Sequence, residues 1–181
     1  MTKRMFKRLS RDNWREEEPH LKHFVRFQSD GTEHKPSADD WADDILRPEL
    51  SSAVPEDICN LFEVAQGAMC YGCFFYPLFT LGHEQMFRVM DAALTTRARQ
   101  LSAPIGVTKS FARCLDWFAK EKLLPPERVA QWEAAKHLRN SSSHADKQSL
   151  YTPAMAAGFA HQAKEFVDEL YALPRNTNQN T

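Results

Sequence analysis

An all-α fold, an antiparallel four- to five-helix bundle with an irregular N-terminal extension, is predicted for this 181-residue chain by three observations. Apolar residues recur three and four positions apart through most of residues 54–173. Apolar–polar alternation, the mark of a half-buried strand, is confined to a few positions near the start. Apolar residues at 43% and charged residues at 26% lie near the globular average, so one hydrophobic core is expected, not global disorder or a membrane protein.

Residues 1–53 read as the extension, because charges, Pro19, Pro36, Pro48 and the turn-forming Ser29-Asp30-Gly31-Thr32 interrupt every apolar pattern. Brief alternation over residues 21–27 predicts a short strand, and residues 38–46 predict two helical turns. Lys3, Arg4, Lys7, Arg8, Arg11 and Arg15 precede the acidic Glu16-Glu17-Glu18 run. A solvated terminus is expected there, with a nucleic-acid arm as the other reading.

Pro55 suits a first helical turn and opens the bundle. Ile58, Leu61, Phe62, Ala65 and Met69 then share one helical face. Leu78, Phe79, Leu81, Met86, Val89, Met90, Ala93 and Leu94 predict a long, centrally buried second helix. Pro77 has no amide hydrogen and clashes with the carbonyl four residues back, which places the break between the two helices at Gly72 to Pro77. Phe111, Leu115 and Phe118 mark a third helix, ended by Leu123-Leu124-Pro125-Pro126. A fourth is expected over residues 127–138. Met155, Phe159, Ala163, Phe166 and Leu170 form the stripe of a final amphipathic helix, and the polar residues 174–181 are expected to be a disordered tail. Trp117, Phe118 and Trp132 fall on helical faces and read as core, although one exposed ring among them is able to stack a base.

No apolar run of a secretory signal follows the N-terminal charges. The most apolar stretch, residues 68–81, is too short to cross a bilayer of about 30 Å. A cytoplasmic protein without membrane contact is therefore expected, with Cys59, Cys70, Cys73 and Cys114 as free thiols in apolar surroundings and Cys70 and Cys73 buried. Cys70-Tyr71-Gly72-Cys73 has neither the preceding strand of a redox CxxC nor the second CxxC of structural zinc. Glycine-rich phosphate loops, HExxH and EF-hand patterns are absent, so no cofactor and no metal are expected. Formal net charge is −1, which provides no general electrostatic hold on nucleic acid; any such binding must be local.

The sharpest local feature is Lys136-His137-Leu138-Arg139-Asn140-Ser141-Ser142-Ser143-His144-Ala145, a basic, hydroxyl-rich run leaving the fourth helix. Positions five apart on an ideal helix lie about 140° from each other, so Arg139 and His144 converge only if the chain turns between them. Serine competes for backbone hydrogen bonds and favours helix ends, which suits such a turn. The interval alone is not distinctive: Arg15 and His20 repeat it in an acidic, proline-interrupted segment. Context separates the two, because Arg139 follows a helix and precedes the last helix of the bundle.

Arg139-Asn140-Ser141-Ser142-Ser143-His144 resembles the motif of the HEPN superfamily, an arginine, usually a polar residue, then histidine four to six positions on. Val54-Pro55-Glu56-Asp57-Ile58, Leu81-Gly82-His83-Glu84 and Leu123-Leu124-Pro125-Pro126-Glu127 look like a poorly characterised branch of it, over residues 55–171. The resemblance implies a helical bundle, commonly a homodimer whose motifs face each other. In many members it also implies metal-independent RNA cleavage, with bacterial defence or toxin–antitoxin systems as the setting. Other members are non-catalytic modules that bind a protein partner or nucleotide.

The residue types fit the cleavage chemistry. Attack by a 2′-hydroxyl needs that oxygen deprotonated, the leaving oxygen protonated and the phosphorane charge stabilised. Histidine exchanges protons near neutrality, and arginine keeps its charge and offers a planar donor fork to phosphate oxygens. Expected roles are proton transfer or 2′-hydroxyl orientation for His144, phosphate stabilisation for Arg139 and positioning for Asn140, with Ser143 in support. The alternative makes Arg139 a cation at a helix C-terminus and His144 a packed or solvated side chain. Glu84 stands in an apolar helix, where it either orients Arg139 or His144 or pairs with Arg88 four residues on.

Overall fold

A computed structural model of the chain describes residues 6–27, 29–142 and 150–174, and the side chains of residues 138–142 are not described. Among the described residues it is an all-α helical bundle. Six α-helices, α1 (Ala38–Leu46), α2 (Glu56–Tyr71), α3 (Pro77–Gln100), α4 (Phe111–Lys120), α5 (Pro126–Ser142) and α6 (Pro153–Ala172), accompany one two-stranded antiparallel ribbon, β1 (Arg26–Phe27) and β2 (Glu33–His34).

The start of each helix follows local chemistry. Ser37 and Asp40 form a reciprocal capping box on α1, the Ser37 hydroxyl accepting from the Asp40 amide while the Asp40 carboxylate accepts from the Ser37 amide at 2.7 Å. Hydrogen bonds donated to the Asp40 carboxylate by the Ser37 amide, the largest cause, and by the Ser37 hydroxyl hold its pKa below the usual range. Pro77 opens α3, and Ser110 and Thr152 cap α4 and α6 through their hydroxyls.

Contacts set the helix directions. Gln66 donates to the carbonyls of Ile45 and Pro48, and the Cys73 thiol reaches the Ala38 carbonyl, so α1 and α2 run antiparallel. Gly72 lies against Phe79, and Gly82 against Met69 and Ala65, which makes α2 and α3 antiparallel as well. Arg128 with Glu169 and Trp132 with Phe166 do the same for α5 and α6. His83 with Phe159 and Arg97 with Leu170 show that α3 and α6 run in the same direction. The core centres on α3, where Phe79, Met86, Val89, Met90, Ala93 and Leu94 are fully buried.

Arg97, buried near the end of α3, sends Nε to the Leu170 carbonyl at 2.9 Å and Nη2 to the Leu173 carbonyl. It thereby supplies donors to carbonyls at the α6 C-terminus that have no partner within their own helix.

The segment before α1 is tied to this core. Glu18 is buried, and its carboxylate accepts from the Lys7 amide at 3.2 Å and meets His20 Nδ1 at 3.0 Å. The Glu18 amide donates to the Cys73 carbonyl at 2.8 Å, so the extension meets the α2–α3 connection. The strand expected over residues 21–27 is reduced to Arg26–Phe27. Pro19 begins a 3-10 turn, Pro19–His23, in which the Leu21 amide donates to Glu18 and the Phe24 amide to Leu21. That turn buries Leu21 and takes the backbone bonds a longer strand would use. The tail expected over residues 174–181 lies, beyond residue 174, outside the described residues.

Candidate functional site

α5 is held in place well before its end. Trp132 is fully buried with its ring 5.0 Å from Phe166 of α6 and 5.8 Å from Phe111 of α4. Arg128 Nε meets Glu169 at 2.5 Å, and its guanidinium carbon sits 4.9 Å from the Phe166 ring centroid. The helix was expected to stop near residue 138; its backbone instead stays helical through Ser142. Serine disfavours helix by only a few tenths of a kcal/mol relative to good formers, which a packed helix overrides.

Arg139 and Asn140 therefore lie in the final backbone turn of α5. Their side chains are not described, and Ser143 and His144 lie outside the described residues. The structure supplies the frame around them.

The chain returns at Leu150 and Tyr151 and is fastened there to α3. The Tyr151 amide donates to Thr80 Oγ1 at 3.3 Å. Its ring stacks on His83, with centroids 3.8 Å apart and 16° between planes. Phe159 of α6 also stacks on His83, centroids 4.0 Å apart and planes 28° from parallel, and Phe87 meets the imidazole edge-on at 5.0 Å. His83 is 3% exposed, and its Nδ1 has no hydrogen-bond partner among the described residues. Burial pushes its pKa down to about 4, so the ring is neutral at pH 7.

Glu84, the next residue, is exposed and makes no ion pair among the described residues; Arg88 donates instead to Gln85 at 3.4 Å. The expected Glu84–Arg88 pair is thus absent. Glu84 stands close enough to Tyr151 to push its phenol pKa up, as the second cause after burial. In the sequence His83 stands out only within Leu81-Gly82-His83-Glu84, with no role of its own. Its signal was an imidazole in phase with the buried Phe79, Met86, Phe87 and Met90.

No family model, no curated protein and no solved structure matches the chain.

The other candidates separate cleanly. All four cysteines are free thiols with pKa values raised by burial, Cys73 to about 12, which leaves none primed as a nucleophile. Among the described residues no cluster of His, Cys, Asp and Glu is arranged to hold a metal ion, and no helix is long and apolar enough to cross a membrane. Phe118 and Trp132 are core residues as expected, whereas Trp117 is only half-buried.

Proposed function

We propose that this chain is a HEPN-like domain that acts on RNA as a metal-independent endoribonuclease, with Arg139 and His144 as its catalytic pair. The observation that carries the reading is the frame of the motif. Arg139 stands in the last turn of a helix locked by Trp132 and Arg128, and Tyr151, seven residues after His144 in the sequence, is held to α3 at Thr80 and His83. A packed, rigid helix carrying Arg139 supports this reading, because catalysis needs side chains held near one geometry.

In this reading the Arg139 guanidinium neutralises charge on the phosphorane oxygens, and neutral His144 accepts the 2′-hydroxyl proton. The resulting imidazolium, or a second copy's histidine across a homodimer axis, protonates the leaving 5′-oxygen. Asn140 and Ser143 position the phosphate, and Glu84 orients the histidine or the arginine. The product is a 2′,3′-cyclic phosphate and a free 5′-hydroxyl. Product ends test this directly: cleavage of a labelled RNA pool in EDTA should leave cyclic phosphates, and linear 3′-hydroxyl ends would contradict the mechanism.

A second reading, a non-catalytic module binding a protein partner or nucleotide, is favoured by the net charge of −1, which gives RNA no long-range attraction. Absence of cleavage by the wild type with retained binding would select it. The same family resemblance supports a homodimer, which light scattering reads, since a monomer would weaken a site completed by a second copy.

A further inference from the structure

Helix α4 carries a second feature that the Arg139 site does not use. Arg113, Asp116, Trp117 and Lys120 follow one another at helical spacing and share a face. With Gly106 and Val107 they line an open cleft of about 360 Å³, within the size range of small-ligand sites. The half-buried Trp117 ring is braced edge-on by the fully buried Phe118 at 5.1 Å. Arg113, Asp116 and Lys120 are exposed, and among the described residues none of the three forms an ion pair. Arg113 Nη1 donates to the Gly106 carbonyl at 3.3 Å, tying the guanidinium to the cleft wall.

We propose that this cleft is a nucleotide-stacking subsite for single-stranded RNA, one base lying on Trp117 and the flanking phosphates meeting Arg113 and Lys120. A braced indole between two cations that form no ion pair among the described residues combines the two elements that hold a single strand, a stacking platform and backbone charge. Asp116 shares the face and repels phosphate from its middle. Phosphates are thereby confined to the Arg113 and Lys120 ends, and a ligand that is only an anion gains little. Duplex RNA, with its bases already stacked, cannot use the indole. α4 packs against α5, the helix that ends in the Arg139 turn, so a strand held here is presented to the helix carrying that residue. The choice of RNA rests on the RNA-acting reading; the cleft itself does not depend on chemistry at Arg139 and His144.

Fluorescence polarisation with a labelled, unstructured single-stranded RNA tests the subsite on the full chain. Trp117→Ala should weaken binding at least about fivefold and Trp117→Phe much less, because stacking is worth about one to three kcal/mol per base. Arg113→Gln and Lys120→Gln should each weaken binding and lower its log–log salt slope by about 0.7, the value for one single-strand phosphate contact. Thermal melts of each variant establish that it is folded. Folded Trp117→Ala and Lys120→Gln proteins with wild-type affinity and salt slope would overturn the proposal, as would a wild type that binds no single strand. Cleavage lost in Arg139→Ala with no dependence on Trp117 removes the subsite alone. Trp117-dependent binding without cleavage in any sample supports the subsite and removes the nuclease.

Discussion

The His83 imidazole lies 3.8 Å from the Tyr151 ring centroid and almost parallel to it, so one buried histidine of α3 fastens the residue where the motif-bearing segment rejoins the bundle. Substitutions at that fastening and in the packing beneath it make the frame of the motif measurable.

His83→Phe keeps a flat ring between Tyr151 and Phe159 and removes a buried nitrogen with no partner among the described residues, so the variant should be no less stable than wild type at pH 7. His83→Ala loses the ring and should cost about 2 to 4 kcal/mol. Urea midpoints at pH 7 measure both.

Acid sensitivity separates His83 from the other titrating groups. Its folded pKa of about 4 lies below the ordinary 6.5, so the unfolded chain binds the extra proton first. The stability present above pH 6.5 then falls as pH drops from 6.5 toward 4, by up to about 3 kcal/mol. His83→Phe should lose less stability than wild type over that interval. Parallel denaturation curves for the two proteins at pH 7 and pH 4.5 would argue against a buried neutral imidazole.

Two glycines should respond in opposite directions to alanine. A Cβ at Gly82 would stand 2.5 Å from Met69 Cγ and 2.8 Å from the Ala65 carbonyl, so Gly82→Ala should destabilise by about 1 to 3 kcal/mol as α2 and α3 are forced apart. Gly158, exposed on α6, has nothing within 4 Å of the same atom. Gly158→Ala should stabilise by about 0.5 to 1 kcal/mol through helix propensity. Calorimetric melting temperatures give the sign of each.

Glu84→Gln should leave the melting temperature within the scatter of ordinary surface changes, because the side chain is exposed and unpaired among the described residues. RNA cleavage should fall if the carboxylate orients the motif. Unchanged stability together with unchanged cleavage would remove Glu84 from the site.

The bundle was legible because its helices carry their own signals. The stripe from Ile58 to Met69, Pro77 as a helix opener and the stripe from Met155 to Leu170 reappear as α2, α3 and α6. Periodicity reports which face turns inward, but not which distant atoms meet it. Arg97 of α3 is buried against carbonyls of Leu170 and Leu173, more than 70 residues away in sequence, a pairing no local pattern announces. Glu18 belonged to an acidic run, yet it is buried and meets the partly exposed His20, whose spacing from Arg15 copies that of the motif. The end of α5 was misplaced by four residues because serine preference is weak beside the packing of Trp132. At the candidate site, sequence supplied the residue types, and the structure adds the His83–Tyr151 fastening and the exposed Glu84 beside it.

Single-turnover RNA cleavage in EDTA, measured for wild type, Arg139→Ala and His144→Ala at matched folded fraction, addresses the proposed chemistry most directly. Wild type should cleave, and each variant should be slower by roughly a hundredfold or more, the usual contribution of a positioned acid–base or phosphate-stabilising group. Equal rates in all three proteins would contradict a catalytic role for Arg139 and His144.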